Sequence, residues 1–511
     1  MIQRVNPHDR THVKRFVLTM MIAMCCCILF VTAQENEPHL FNLNPESGQK
    51  AMVNIPYTYP ADPQVKQKLD NWQDMKFGLM IHWGPYSIWG VEAGWLICSC
   101  GEDEWVRRTG PYAHDYVEYK RQYEMLPQLF NPVKFNPDKW ARAAQEAGMK
   151  YMVFITKHLD GFCMFDSKYT NYKITDPSVP FHVNPKANVV KEVFHSFRSE
   201  GISIGAYISK ADWHHPDYWA PEWVTPNNRV NYNTRKYPER WQRYKDFTYN
   251  QIEELMTGYG NVDILWLDDS WVNAFPSEEL ERIAATRRIW NEDIDMARIA
   301  QMARSHQPGL IVIDRYAAYT SGCGVYENYR TPEQQIPDKP LSYPWETCMT
   351  MTDSWSYRPN DIYKPTRQII HMLVDIVAKG GNYLLNIGPG PDGDFDEQAY
   401  QRLTEIGQWM NINSEAIYCT QVIAPYKQGK VCYTSKKDGS MYGIYLSEEG
   451  EAMPDDILLK GITAPKSAKI TMLGVSGNCK WKQTDEGVAV TVPASARKSS
   501  PPPYAWTIKI Y

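Results

Sequence analysis

The chain has 511 residues, which is more than one ordinary domain needs and suits one large domain with a smaller partner. Hydrophobic residues make up 43% and charged residues 22%, so a packed globular core is expected and extensive disorder is excluded. The formal net charge is −5, and no long basic run follows the N-terminal segment. This charge balance argues against a nucleic-acid partner, whose phosphates require a concentrated positive face.

The first predicted element is an export signal. Basic residues precede an apolar run at 16–31, and Ala33 ends a stretch of small residues. We therefore expect a signal peptide at 1–33 and a secreted or periplasmic mature protein with no membrane contact. The apolar run is short for a transmembrane helix. A lipid anchor is the poorer interpretation, because Cys25–Cys27 lie inside this run rather than at its end.

The segment 34–420 alternates short apolar runs with helical stretches, the pattern of a parallel sheet covered by helices. The apolar runs are FGLMIHW, YMVFIT, ISIGAYIS, VDILWL, LIVID and NYLLNI. Strands that are buried on both faces have such continuous apolar sequences. The pattern predicts an α/β fold, a (β/α)8-like TIM barrel that need not be regular, as the catalytic domain.

Polar residues gather where these apolar runs end. They are His82, His158, Asp268 with Asp269, Asp314 with Arg315, and Asn386. In a (β/α) barrel the C-terminal ends of the strands converge on one mouth, where active sites lie. The repeated placement of polar residues at strand ends predicts an active site at this mouth.

The segment 421–511 has a different pattern, with short alternating strands such as ILLKGI, AKITMLG and VAVTV between turn residues. VCYTSKKDGSMYGIYLS predicts a hairpin that turns at Asp438 and Gly439. We predict a C-terminal all-β sandwich. Its strands present no recognisable aromatic platform for a sugar, so we expect it to support the barrel.

Carboxyl groups at the predicted mouth indicate the chemistry. Glycoside hydrolysis with retention needs two carboxyl groups about 5 Å apart, one to attack and one to transfer a proton. Asp263 begins the strand NVDILWLDDSW and therefore belongs to the far end of the barrel, whereas Asp268 and Asp269 end it. Neighbouring strand residues point to opposite faces, so one of these two should face the barrel axis.

The ordered motifs between about Lys76 and Thr420 resemble glycoside hydrolase family 29, the retaining α-L-fucosidases. YMVFITKHLDGF resembles the K-H-H-D-G-F signature, ADWHHPDY matches D-W-H-H-P-D-Y, and VDILWLDDSW resembles the nucleophile strand L-W-x-D. TPEQQIP, PWETCMTM, SWSYRP and GGNYLLNIGPGPDG follow in family order. The resemblance implies exo-hydrolysis of terminal α-L-fucosyl residues from oligosaccharides or glycoconjugates. It implies a glycosyl-enzyme intermediate and no metal or other cofactor.

The same resemblance assigns roles to individual residues. Asp268 takes the position of the nucleophile, and we therefore expect Asp269, where the family commonly has glycine, to turn away from the pocket. For the acid/base, Glu333 in T-P-E is the first choice, Glu346 in PWETC the second and Glu327 the third. This group must stay protonated at working pH, which an apolar wall or a neighbouring carboxylate favours. Sugar binding is assigned to His82, Glu104, Trp105, His158, Trp266, Arg315 and Trp355.

One departure from the family pattern leaves the sugar open. Leu159 stands where the family has a second histidine after His158, which removes a hydrogen-bond partner. An unpaired hydroxyl in a closed pocket costs about 1–3 kcal/mol. A related glycone, such as a galactose-configured sugar, is therefore an alternative.

Two further alternatives concern the reaction itself. The chain could be a non-catalytic carbohydrate-binding protein that kept a hydrolase cleft. It could also be a metal-dependent hydrolase, although it lacks the H-x-H and H-E-x-x-H spacings of metal ligands. The candidate ligands would be His82, His158, His214, His215 and Asp268. The sequence leaves the disulfide pairing and the oligomeric state open.

Overall fold

The computed structural model describes residues 57–98, 108–225, 228–275, 277–315, 326–498 and 504–511. The helices in these ranges are α1 (Pro63–Met75), α2 (Tyr116–Glu124), α3 (Pro137–Glu146), α4 (Val189–Ser199), α5 (Pro238–Gly258), α6 (Glu278–Thr286), α7 (Met296–His306), α8 (Thr366–Ala378) and α9 (Glu397–Asn413). Local signals set several helix starts. The side chains of Asn136 and Asn188 accept hydrogen bonds from the backbone at the beginnings of α3 and α4. The predicted signal segment lies outside the described residues.

Seven strands form one parallel sheet. They are β1 (Phe77–Ile81), β2 (Tyr151–Lys157), β3 (Ser203–Ser209), β4 (Ile264–Asp268), β5 (Ile311–Ile313), β6 (Glu346–Thr350) and β7 (Asn382–Ile387). Their order across the sheet is β5-β4-β3-β2-β1-β7-β6. Most of their residues are buried, because helices cover one face and the opposite face lines the barrel interior. The predicted α/β barrel is confirmed.

The segment 328–334 closes the barrel between its two edge strands. On one side the Asn328 backbone N–H donates to the Val312 oxygen of β5 at 2.8 Å. On the other side the Glu346 N–H of β6 donates to the Arg330 oxygen at 2.8 Å. Pro332 lies within this segment and has no N–H, so the segment pairs with its neighbours without forming a regular strand. This irregular element takes the eighth place in the barrel.

The remaining strands form two antiparallel sheets. They are β8 (Gln421–Gln428), β9 (Val431–Ser435), β10 (Met441–Leu446), β11 (Asp456–Lys460), β12 (Ile470–Met472), β13 (Lys480–Thr484), β14 (Gly487–Thr491) and β15 (Ala505–Ile510). The five-stranded sheet has the order β12-β15-β10-β9-β8 and the three-stranded sheet has the order β11-β14-β13. Buried side chains from both sheets share one core, as in a sandwich. The hairpin predicted at Asp438 and Gly439 joins β9 to β10.

Side chains of the barrel helices hold the C-terminal sandwich. In α9 the Trp409 indole N–H donates to the Ala505 oxygen at 3.1 Å, and the Asn413 amide oxygen accepts from Thr507 at 2.7 Å. In α8 the Arg367 guanidinium donates to the Ser447 oxygen at 2.6 Å. The five-stranded sheet therefore packs on two helices of the barrel. The domain boundaries at 34–420 and 421–511 stay predictions. No helix in the described ranges is long and apolar enough to cross a membrane.

Candidate active site

The candidate site lies at the C-terminal ends of the parallel strands. His82 follows β1, His158 follows β2, and Asp268 is the last residue of β4. Arg315 lies two residues beyond the end of β5 and has a left-handed backbone, with φ of 56°. Parallel strands bring these positions to one end of the sheet. The structure therefore brings together residues that are up to 233 positions apart in the sequence.

Asp268 is held by three donors. The Arg315 Nη1 donates to its Oδ1 at 2.9 Å, and the Tyr207 hydroxyl donates to its Oδ2 at 2.7 Å. The backbone N–H of Asp269 donates to Oδ1 at 2.8 Å. Burial raises the pKa of the Asp268 carboxyl, but Arg315 and these hydrogen bonds outweigh it, so the pKa lies below its ordinary value. Asp268 is therefore held as a carboxylate, the form that a nucleophile requires.

Asp269 turns away from this carboxylate, as the strand alternation predicts. Its backbone has a positive φ of 69°, and its Oδ2 accepts a hydrogen bond from the Ala211 N–H at 2.9 Å. Burial and the neighbouring Asp268 charge raise the pKa of Asp269 well above its ordinary value. The ionised Asp268 carboxylate therefore faces Arg315, whereas the Asp269 carboxyl group faces the backbone of Ala211.

Glu333 meets the same guanidinium. The Arg315 Nη2 lies 2.7 Å from the Glu333 Oε2, while Nη1 bonds to Asp268. The planar fork of arginine suits this bridging of two carboxylates. The side chains of Asp268 and Glu333 are 22% and 19% exposed, so a ligand at the mouth can reach both. The structure therefore brings the predicted nucleophile and the first-choice acid/base to one place.

The other two glutamates are buried and bonded to neighbouring side chains. Glu346 is the first residue of β6 and therefore lies at the opposite end of the barrel, where it is fully buried and bonded to the Tyr151 hydroxyl at 2.5 Å. Burial raises its pKa to about 7. The Glu327 side chain is 3% exposed and is paired with Arg330 at 2.6 Å. Neither is placed to reach a sugar that is held beside Asp268.

Two neutral histidines line the site. The Nδ1 of His82 lies 2.6 Å from the Asn386 Oδ1, which fixes the ring. Burial lowers the pKa of His82 to about 4 and that of His158 to about 3. The His158 ring stacks on Tyr207 with centroids 5.8 Å apart, and its buried Nδ1 has no partner among the described residues. Both rings are neutral hydrogen-bonding groups at ordinary pH.

The α-L-fucosidase family model matches residues 46–415, and the α-L-fucosidase C-terminal domain model matches residues 425–511. The chain belongs to the α-L-fucosidase family. It is 29% identical over 479 residues to the tissue α-L-fucosidase of Rattus norvegicus, covering 89% of this chain and 93% of the relative. It is 28% identical over 469 residues to the plasma α-L-fucosidase of Homo sapiens, covering 87% and 90%.

Solved structures of α-L-fucosidases share the whole architecture. The isoenzyme 1 of Paenibacillus thiaminolyticus aligns with a TM-score of 0.68 and 27% identity, covering 88% of this chain and 99% of that one. The glycoside hydrolase family 29 α-L-fucosidase from Bacteroides thetaiotaomicron, solved as a trapped covalent intermediate with 2-fluoro-fucosyl fluoride, has a TM-score of 0.68 and 25% identity. That match covers 90% of this chain and 99% of that chain.

The two tryptophans assigned to sugar binding in this α-L-fucosidase family member lie at different depths. Trp355 is partly exposed, and its ring lies 5.1 Å from that of His82. Trp266 is 1% exposed and lies beneath Arg315, whose guanidinium carbon is 5.2 Å from the ring centroid. Trp355 borders the mouth, whereas Trp266 supports its floor. Glu104 and Trp105 lie outside the described residues.

Sequence reasoning missed two residues that organise the site. Tyr207 bonds directly to Asp268, and its position two residues before Ser209 on β3 could have revealed that its side chain shares a face with that strand end. Glu92 accepts from the Trp355 backbone N–H at 3.0 Å, and no strand pattern points to it. Burial raises the pKa of Glu92 to about 7.

Among the described residues, no contact supports two of the alternatives that the sequence leaves open, namely a metal-dependent hydrolase and a related glycone. Within the described ranges, no group of three histidine, cysteine, aspartate or glutamate side chains is arranged to hold a metal ion. The Leu159 side chain is 1% exposed and belongs to the main hydrophobic core. Its backbone oxygen accepts from the Trp213 N–H at 2.7 Å, so this position links two loops at the mouth.

Proposed function

We propose that this protein is a retaining exo-α-L-fucosidase in which Asp268 is the nucleophile and Glu333 the acid/base. The observation that carries the assignment is the shared guanidinium of Arg315, which contacts both carboxylates at 2.9 and 2.7 Å. Retention requires two carboxyl groups about 5 Å apart, and a shared guanidinium supports this pair because it makes the two groups neighbours. Glu346 and Glu327 lack both the exposure and this contact.

The reaction follows in two displacements. In the first, a carboxylate oxygen of Asp268 bonds to the anomeric carbon while the glycosidic bond breaks and the leaving oxygen takes the Glu333 proton. In the second, Glu333 takes a proton from water, whose oxygen bonds to the anomeric carbon and displaces Asp268. Fucose leaves with its original anomeric configuration, and both carboxyl groups return to their starting states.

Arg315 favours the charged form of both carboxyl groups, and each group needs that form at a different step. Its contact favours the charged form of Asp268, which the attack requires. Its contact with Glu333 suits the state that accepts a proton from water. For the first displacement Glu333 must carry a proton and release the guanidinium, and a bound sugar hydroxyl can then accept from Arg315 in its place.

The remaining side chains at the mouth hold the sugar in this proposal. His82 and His158 are neutral and offer hydrogen bonds without charge, and Trp355 provides an apolar surface for the methyl-bearing face. Glu104 and Trp105 are assigned by motif alone. The second candidate function is hydrolysis of a related glycone. Leu159, which replaces a histidine of the family signature, is the observation that favours it.

Kinetics on aryl glycosides test the assignment. With 4-nitrophenyl α-L-fucoside, Asp268→Ala should lower kcat by several orders of magnitude, and Glu333→Ala by about 10²–10⁴-fold. Added azide should restore turnover to Glu333→Ala by replacing the base-activated water. Asp263→Asn, at the start of the same strand, is the matched control and should remain active. A normal Glu333→Ala beside an inactive Glu346→Ala would refute the acid/base assignment.

The covalent step and the glycone need separate measurements. After incubation with 2-fluoro-fucosyl fluoride, peptide mass analysis should find one fluorofucosyl group on Asp268. A panel with α-L-fucoside, α-L-galactoside and β-D-galactoside should give its highest kcat/KM on α-L-fucoside. A preference for either galactoside would favour the second candidate. Binding without turnover of any substrate would support the carbohydrate-binding alternative.

We also propose that the chain is exported. The apolar run at 16–31 and the small residues ending at Ala33 support a cleaved signal. Relatives with the names tissue and plasma α-L-fucosidase are consistent with a protein that passes through a secretory route. N-terminal sequencing of the exported protein should begin at Gln34, and retention of the first 33 residues would contradict the proposal.

A further inference from the structure

Glu346 is a buried carboxyl group that the proposed reaction does not use. It lies at the base of the barrel, where its Oε2 accepts from the Tyr151 hydroxyl at 2.5 Å. Its Oε1 lies 3.4 Å from both the Trp266 indole nitrogen and the Tyr329 hydroxyl. A carboxyl group in such an apolar setting is costly unless its oxygens are hydrogen-bonded, so this arrangement must be maintained by the surrounding aromatic donors.

The Trp266 indole connects this base to the mouth. Its N–H points down toward Glu346, and the described structure gives that N–H no closer acceptor. Arg315 lies over the same ring, with its guanidinium carbon 5.2 Å from the ring centroid. Tyr207 stacks on the same indole at 5.2 Å with an angle of 22°. The Trp266 ring therefore packs against two side chains of the candidate site, Arg315 and Tyr207.

Those two side chains are the ones that bond to Asp268 through their terminal groups. Arg315 donates to Oδ1 at 2.9 Å and Tyr207 donates to Oδ2 at 2.7 Å. A rotation of the Trp266 ring would change the packing of both Arg315 and Tyr207 at once. Displacements of about 1 Å in an active site can cost about 10²-fold in rate even when the change is far from the reacting atoms.

We propose that Glu346 is a positioning residue for the reaction, which acts through Trp266 to hold Arg315 and Tyr207 against Asp268. The proposal rests on the proposed function of Asp268. It gives a role to a carboxyl group that the sequence motif marks but that cannot reach the sugar. Its effect should fall on the chemical step more than on substrate binding, because the partners that the described structure gives the Glu346 carboxyl group are Tyr151, Trp266 and Tyr329, beneath the mouth.

Glu346→Gln tests this role because it keeps the shape of the side chain and replaces one acceptor oxygen by a donor. On 4-nitrophenyl α-L-fucoside we expect kcat to fall about 10- to 100-fold, with KM changed less than about threefold. In the pH profile of kcat/KM, the fall in activity on the acidic side (the acidic limb) should move to higher pH. The reason is that displaced Arg315 and Tyr207 stabilise the charged form of Asp268 less. A purely structural role would leave this limb in place.

Tyr151→Phe is the second variant, since it removes only the hydroxyl that holds the far oxygen of Glu346. It should change kcat and the acidic limb in the same direction by a smaller amount, and it keeps the test open if Glu346→Gln does not fold. Glu292→Gln is the matched control. Glu292 is also fully buried, has a pKa raised to about 7 by burial, and bonds to the Tyr218 hydroxyl at 2.7 Å.

The outcomes separate this inference from the proposed function. The inference is supported if Glu346→Gln lowers kcat and moves the acidic limb to higher pH, while Glu292→Gln leaves both kcat and the acidic limb unchanged. It is overturned if folded Glu346→Gln, or Tyr151→Phe in its place, keeps the parent's kcat and pH profile while Asp268→Ala is inactive. If Asp268→Ala keeps the parent's rate, the proposed function itself fails.

Discussion

Arg315→Met removes a cation that joins the two candidate catalytic carboxylates. The Arg315 side chain is 8% exposed, so its contact with Asp268 is screened little by water. A hydrogen bond between charged groups contributes about 1.5–3 kcal/mol. The substitution should therefore raise the pKa of Asp268, because its charged form loses about this much stabilisation. The Tyr207 hydroxyl and the Asp269 N–H remain in place, which favours the lower end of this range.

The direction of this pKa change decides what the assay measures. In the proposed mechanism Asp268 attacks only as a carboxylate, so a higher pKa removes activity at acidic pH first. In the pH profile of kcat/KM on 4-nitrophenyl α-L-fucoside, which reports the free enzyme, the acidic limb should move to higher pH, and kcat/KM on that limb should fall about 10- to 100-fold. Arg243→Met is the control, since the exposed Arg243 side chain pairs with Asp217, in a contact that water screens, rather than with Asp268 or Glu333. Its profile should match that of the parent.

Two results would refute this reasoning. If Arg315→Met lowers kcat/KM equally at every pH, then Arg315 binds substrate without holding the charge of Asp268. If the limb moves to lower pH, then the arginine opposes ionisation of the nucleophile, contrary to the geometry. Rescue by Arg315→Lys should be partial, because lysine retains the charge but cannot bridge two carboxylates with a planar fork.

Three further predictions concern the walls and the base of the barrel. Asn386→Ala should lower kcat/KM about 10-fold, since the His82 ring loses the 2.6 Å contact that orients it, and steady-state kinetics on the aryl fucoside measures this. Trp355→Ala should raise KM more than it lowers kcat, as a lost apolar wall predicts, and an unchanged KM would exclude ring contact with the sugar. The Glu346 pKa of about 7 lies above its ordinary value, so its stabilisation is present at acidic pH and is lost as the pH rises through 7. The free energy of unfolding, measured with urea at about pH 5 and about pH 8, should therefore fall between the two pH values. In Glu346→Gln this fall should be smaller than in the parent by roughly 3 kcal/mol, because glutamine does not titrate.

The sequence by itself predicted the barrel and the strand that carries the candidate nucleophile. Continuous apolar runs, each followed by polar residues and separated by helical stretches, are typical of parallel strands whose ends meet at one mouth. Asp268 and Asp269 end such a run, the alternation of side chains predicted that only one of them faces the barrel axis, and the motif resemblance selected Asp268. These features depend on local order along the chain, which the sequence displays directly.

The tertiary structure alone decided how the glutamates are distributed. PWETC shows a glutamate beside an apolar wall, but only the register of β6 reveals that Glu346 begins the strand and so lies at the base. Glu333 belongs to the irregular segment 328–334, which has no strand period, and it meets Arg315 only because this segment closes the barrel beside β5. Tyr207 likewise meets Asp268 only when β3 pairs with β4. Such contacts join residues distant in sequence, and their geometry is set by sheet closure rather than by any local pattern.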